Sequence, residues 1–113
     1  MSLLIFLSLL LSNDVDPKME AAVAVAVTRV DIVKCDIEIS KIELEWATLD
    51  YERSKQLVNG KAIAATEYID YRSKYLRTKA LYTRNLHRLR EAEALVHLAR
   101  ITGEVDRGMT LVK

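Results

Sequence analysis

The sequence predicts an all-α fold: a long antiparallel two-helix coiled-coil hairpin, with helices over about residues 17–59 and 65–101 and short extended or strand-like stubs at both ends. Three observations carry that prediction. Apolar residues recur every seven positions along both halves of the chain. The 113 residues contain one Pro and three Gly, too little punctuation for several strands and loops. Between the two periodic halves stands Asn59-Gly60, the strongest turn signal in the chain, with Gly60 expected to take the left-handed conformation that ends a helix. The stretch from Leu49 to Asp70 is then the hairpin tip.

The chain divides into an apolar N-terminal segment (1–14), the hairpin (15–102) and a C-terminal stub (103–113). Leu3 to Leu11 is apolar apart from Ser8 and about half the length that a helix needs to span a bilayer. Nothing basic precedes it, whereas an export signal opens with a positive region. A short strand and an atypical export signal fit it equally well. Asp16 can cap a helix that begins at Pro17, where the missing N–H of proline bonds nothing in any case.

In the first helix Val23, Val30, Ile37, Leu44, Tyr51 and Val58 form one seam, with Ala26, Val33, Ser40, Ala47 and Ser54 three positions on. The small residues allow a second helix to approach closely. A second apolar stripe, Ile32, Cys35, Ile39, Ile42, Trp46 and Leu49, lies near the opposite side of the same helix, separated from the first by Asp31, Lys34, Glu38, Lys41 and Glu45. The returning helix can cover only one of these faces. Ile32, Ile39, Ile42, Trp46 and Leu49 are therefore expected to form a partner face, for self-association or for docking.

The second helix repeats the pattern with Tyr68, Tyr75, Tyr82, Leu89 and Val96, followed three later by Tyr71, Thr78, Asn85, Ala92 and Ala99. Folding about residues 60–63 sets Tyr51 near Tyr71 and Val23 near Ala99. Each arm is then about 57 to 63 Å long. The helix is expected to end near Ile101, before Thr102-Gly103. Glu104 to Lys113 is too short for a domain.

Seventeen Lys and Arg against sixteen Asp and Glu leave no net basic field for nucleic acid. The tyrosines fall on seam positions and are read as packing, not as a platform for bases. Lys79, Arg84, Arg88 and Arg90 make helix two locally basic and offer complementary charge to Asp31, Glu38 and Glu45. His87 and His97 lie about 280° apart around a helix and do not form a metal pair. The single Cys35 excludes an internal disulfide and is expected to be a buried structural thiol. No acid–base pair, phosphate loop or activated nucleophile is found, so a non-enzymatic protein without cofactor or metal is expected.

Several short runs of residues resemble the HlyD family of membrane fusion proteins, the periplasmic adaptor subunits of tripartite efflux pumps and type I secretion systems. Val15-Asp16-Pro17 with Glu20-Ala21-Ala22 looks like the start of that family's hairpin, and Asp50-Tyr51-Glu52-Arg53 with Leu57 like the end of its first helix. Ala62-Ile63-Ala64 with Glu67-Tyr68 is similar to its turn, and Ala99-Arg100-Ile101-Thr102 to its exit toward a lipoyl-like domain. The resemblance implies a homo-oligomeric adaptor in the periplasm or cell envelope, bridging an inner-membrane transporter and a TolC-like outer-membrane channel. If Leu3 to Leu11 is not an export signal, the location is the cytoplasm.

The family's channel-docking tip motif, an Arg, a Leu and a Ser, falls here on Arg53, Leu57 and Ala64, so two of the three match. A Ser at position 64 would form a capping box with Glu67. Ala cannot, which leaves Thr66 as a substitute cap that would start the helix two residues later. The family inserts its hairpin between two halves of a lipoyl-like domain and adds a β-barrel. This chain has room for little more than the hairpin, and a truncated adaptor is expected. The competing expectation is a stand-alone coiled-coil interaction module unrelated to transport.

Overall fold

A computed structural model describes residues 17–103. The apolar N-terminal segment, the Asp16 cap and the C-terminal stub after Gly103 lie outside the described residues. The protein is an all-α antiparallel hairpin of two long helices, α1 (Pro17–Asn59) and α2 (Ala65–Thr102). Among the described residues no helix is long and apolar enough to cross a membrane.

The heptad seam of α1 is the face that the fold covers. Ala26, Val30, Val33, Ser40, Ala47 and Ser54 are buried, and Val23, Ile37, Leu44, Tyr51 and Val58 are half-buried. On α2 the buried positions are Asn85, Ala92 and Ala99, again on the expected repeat. Tyr71 departs from it: its side chain is 38% exposed, so the seam runs through Tyr68 and Tyr75 beside it. Short side chains dominate this interior, as required where two helices meet closely.

The contacts fall into two compact units, one joining α1 up to Asp31 with α2 from Arg90, the other comprising Ile32–Leu89. In the first, Ala22, Ala26 and Ala99 form the core, with Val23 and Val96 packed against it. Gly103 takes φ 74° and donates its N–H to the Ala99 carbonyl at 2.8 Å, the left-handed cap that stops α2. A methyl group there would stand 3.7 Å from Met19, an ordinary contact, so conformation rather than space calls for glycine.

In the second unit the interior carries hydrogen bonds. Asn85 is buried and donates from Nδ2 to Ser40 Oγ at 3.2 Å and to the Asp36 carbonyl at 3.4 Å. Arg88 Nη1 reaches Asn85 Oδ1 at 3.1 Å and Asp36 Oδ2 at 3.3 Å. Ser40 itself donates to the Ile37 carbonyl at 3.1 Å. These bonds fix which residue of α1 faces which residue of α2. Charge pairing across the helices therefore uses Asp36 and Arg88, and Asp36 is not among the acids, Asp31, Glu38 and Glu45, expected to offer complementary charge to helix two.

Toward the tip, Tyr51 stacks on Tyr75, with ring centroids 4.9 Å apart and planes 19° apart, and lies 5.9 Å from Tyr68. Tyr51 thus sits between two tyrosines one heptad apart. The expected Tyr51–Tyr71 pairing is displaced to the neighbours on either side.

Candidate functional site

The tip is built by the end of α1, a short connection and the start of α2. The last turn of α1 contains no basic residue to answer its free carbonyls, and backbone bonds answer them instead. Ala62 N–H donates to the Leu57 carbonyl at 2.7 Å and Lys61 N–H to the Val58 carbonyl at 3.0 Å, the paired bonds of a Schellman cap. The left-handed residue of that cap is Lys61, at φ 60°, and not Gly60. The turn lies where Asn59-Gly60 predicts it. The conformation that glycine would best serve falls one residue later, because α1 runs through Asn59 and leaves Gly60 as the last residue before the reversal.

Ala64 accepts the first bonds of α2, from Glu67 N–H at 3.0 Å and Tyr68 N–H at 3.2 Å. It is therefore the N-cap, and α2 starts at Ala65 without the delay expected from capping at Thr66. The main chain closes the turn, so the helix begins where the geometry allows although the side chain contributes nothing.

Of the tip residues, Arg53 has 68% of its side chain exposed, with Nη1 3.7 Å from Asp50 Oδ1. Such a long, exposed contact holds the guanidinium only weakly, and its planar fork of donors stays accessible. Leu57, one turn further on, is 36% exposed. Ala64 is exposed at the N-cap.

Beside the tip, Lys55 Nζ lies 3.0 Å from Glu52 Oε1 and 4.8 Å from the Tyr51 ring centroid. The bond to Glu52 raises its pKa. The Tyr51 and Tyr68 hydroxyls share a hydrogen bond at 3.4 Å. That bond draws the two tyrosines apart in acidity. Tyr51 is lowered by the bond to Tyr68, with Lys55 and Arg72 nearby adding to the effect, and Tyr68 is raised by the bond to Tyr51 and by partial desolvation.

The expected partner face is open. Ile32, Ile39, Ile42, Trp46 and Leu49 are each 52–65% exposed. Cys35 is exposed with them, which corrects the expectation of a buried thiol. Its stripe, and not the usual preference of free cysteine for the interior, decides its surroundings. At one edge of this face, Leu44, Leu49 and Tyr82 with Lys41, Glu45 and Thr48 line a shallow apolar groove of about 560 Å³.

The sequence reading missed the Asn85–Ser40 and Asp36–Arg88 bonds. A buried-seam Asn facing a seam Ser was the available signal. Among the described residues no group of three or more His, Cys, Asp or Glu is placed to hold a metal ion, and no buried side-chain nitrogen or oxygen lacks a partner. What the arrangement offers is surface: a polar and apolar tip at the turn and an apolar stripe along α1. Compared with models of known protein families, with curated proteins and with solved structures, the chain matches none.

Proposed function

We propose that this hairpin is the α-helical arm of a periplasmic adaptor, resembling those of the HlyD family, that bridges an inner-membrane transporter and a TolC-like outer-membrane channel as a homo-oligomer in the cell envelope. The observation that carries the reading is the presentation of Arg53 and Leu57. They stand one turn apart on the last exposed turns of α1, next to a reversal closed by its own backbone bonds. A firm turn of this kind can present an Arg fork to carbonyls or carboxylates of a channel while the Leu fills an apolar recess beside it. The role is mechanical and needs no cofactor.

A test is crosslinking from the tip. In a Cys35→Ser background, which removes the exposed native thiol, an Arg53→Cys variant is expected to crosslink to the outer-membrane channel, and a cysteine placed at Arg77 is not. Equal crosslinking from both positions, or none from Arg53, would remove the docking role.

The open stripe along α1 also favours a second reading, a coiled-coil interaction module with no part in transport. That reading predicts partners that protect Trp46 from solvent while the tip stays free.

A further inference from the structure

Tyr51, Tyr68 and Tyr75 form one aromatic cluster across the hairpin, and the two contacts made by Tyr51 differ in kind. Tyr75 lies face to face with it, centroids 4.9 Å apart and planes 19° apart. Tyr68 approaches it through the hydroxyl end. Their ring centroids are 5.9 Å apart with planes at 31°, while the hydroxyl oxygens are 3.4 Å apart. The two rings therefore converge toward their oxygens, and the carbons ortho to each hydroxyl, Cε1 and Cε2, flank that end of the ring.

This arrangement suits one reaction of phenols. A tyrosine that loses an electron and its hydroxyl proton becomes a phenoxyl radical, whose unpaired electron is shared by the oxygen and the ortho and para carbons. The para carbon carries the side chain, so two such radicals join through ortho carbons. The new bond lies in the plane of both rings, and the product, dityrosine, is a biphenol with its hydroxyls side by side. Tyr51 and Tyr75 present faces to each other and must turn before they can bond in this way. Tyr51 and Tyr68 already hold their hydroxyls together.

The surroundings favour the same pair. Stacking on Tyr75 and the Lys55 ammonium 4.8 Å from its centroid hold the Tyr51 ring in place. Tyr68 stands on the first turn of α2, beside the reversal, where a small adjustment costs least. Both are half-buried, which favours coupling within the chain over coupling between chains. The bond to Tyr68, with Lys55 and Arg72 nearby, lowers the pKa of Tyr51 and eases the proton loss that accompanies oxidation.

We propose that Tyr51 and Tyr68 are an oxidative modification site, at which a peroxide-derived one-electron oxidant joins the two rings as dityrosine and ties α1 to α2 beside the tip. Each phenol gives up one electron and one proton, and the two radicals pair to form the Cε–Cε bond. The ring hydrogens on the joined carbons then move to the oxygens, which restores both aromatic rings and both hydroxyls. In sum, two electrons pass to the oxidant, two protons pass to water and the chain loses two hydrogen atoms. The bond closes a span of 17 residues and restricts the unfolded chain as a disulfide does. The site does not depend on docking to a channel.

Photo-oxidation of the full chain at low micromolar concentration, with a ruthenium polypyridyl and persulfate, tests this. Persulfate takes both electrons and leaves as two sulfates. Dityrosine fluorescence, an intact mass lower by two hydrogens and a joined Tyr51–Tyr68 peptide after digestion are expected, in a chain that still runs as a monomer on a denaturing gel. The joined chain should melt at least about 5 °C higher. Tyr68→Phe keeps the ring without its oxygen and should lose the intrachain product, whereas Tyr71→Phe and Tyr75→Phe should retain the Tyr51–Tyr68 link. Circular dichroism establishes that each variant keeps its helices. Interchain species alone, a Tyr51–Tyr75 link in place of Tyr51–Tyr68, or an intrachain yield that Tyr68→Phe leaves unchanged would each overturn the proposal. A joined chain that melts no higher would overturn the tie between the helices.

Discussion

Lys61 occupies the one described non-glycine position with positive φ, at 60°, and a lysine there has its Cβ close to a carbonyl oxygen. Lys61→Gly is expected to stabilise the hairpin by about 1 kcal/mol, visible as a melting temperature several degrees higher. Gly60, whose added methyl group would meet only the Gln56 and Leu57 carbonyls at 3.6 and 3.9 Å, should accept Ala without loss. At the tyrosine pair the prediction concerns acidity. Absorbance titration should show Tyr51 ionising below the ordinary tyrosine value of 10.0 and Tyr68 above it, and Tyr68→Phe should move Tyr51 back up by removing the hydroxyl that it pairs with. The effect on stability has two signs. From the lowered pKa of Tyr51 up to about 10, the unfolded chain still holds a proton that the folded chain has released, so stability rises with pH. Above that, the folded chain keeps the Tyr68 proton that the unfolded chain has lost, and stability falls until the raised pKa is passed. The sequence placed Tyr51 and Tyr68 on their seams but not against each other. Which tyrosine faces which depends on a shift of a few residues across the hairpin, and heptad spacing does not fix that shift.

At the scale of the helix, α2 begins on an N-cap that has no side-chain acceptor. Ala64→Ser places a hydroxyl three residues before Glu67 and should add about 1 kcal/mol, measured by thermal or denaturant unfolding. Adding Glu67→Ala to that variant should return part of the gain, because the box needs both members. In the middle of the hairpin, Asn85→Ala removes the donor to Ser40 and the acceptor of Arg88 and should cost about 1–3 kcal/mol. The existence, type and limits of both helices were legible in the sequence because the periodic pattern is long and almost free of Gly and Pro. The caps were legible only in part. Asn59-Gly60 located the reversal, but the left-handed residue is chosen by where the last carbonyls find their donors, and that put it on Lys61. Thr66 was a plausible cap by residue type. It lost because the turn brings the Ala64 carbonyl, and not that of a later residue, onto the first free N–H groups.

For the whole molecule, the candidate surfaces followed from a single reading of α1 as a helix with two apolar faces. The inner face is covered and the outer one is open, as that reading requires. Cys35 follows the same division of faces. Its place on the outer stripe predicts exposure, whereas the preference of free cysteine for the interior predicted burial. The tip residues are reachable from solvent, and their partner is a matter for the crosslinking experiment.

The alanine- and serine-lined interior has one more consequence. Side chains of that size remove little apolar surface from water per turn, so a lone hairpin holds its shape with a thin margin. The wide isoleucine and tryptophan surface on its outer side represents an unused driving force. If self-association through that surface supplies it, dilution and heat become interchangeable stresses: the melting temperature should climb with protein concentration, by mass action. Calorimetric scans over a dilution series would measure the slope, and a melting point indifferent to dilution would mean that each chain stands by itself.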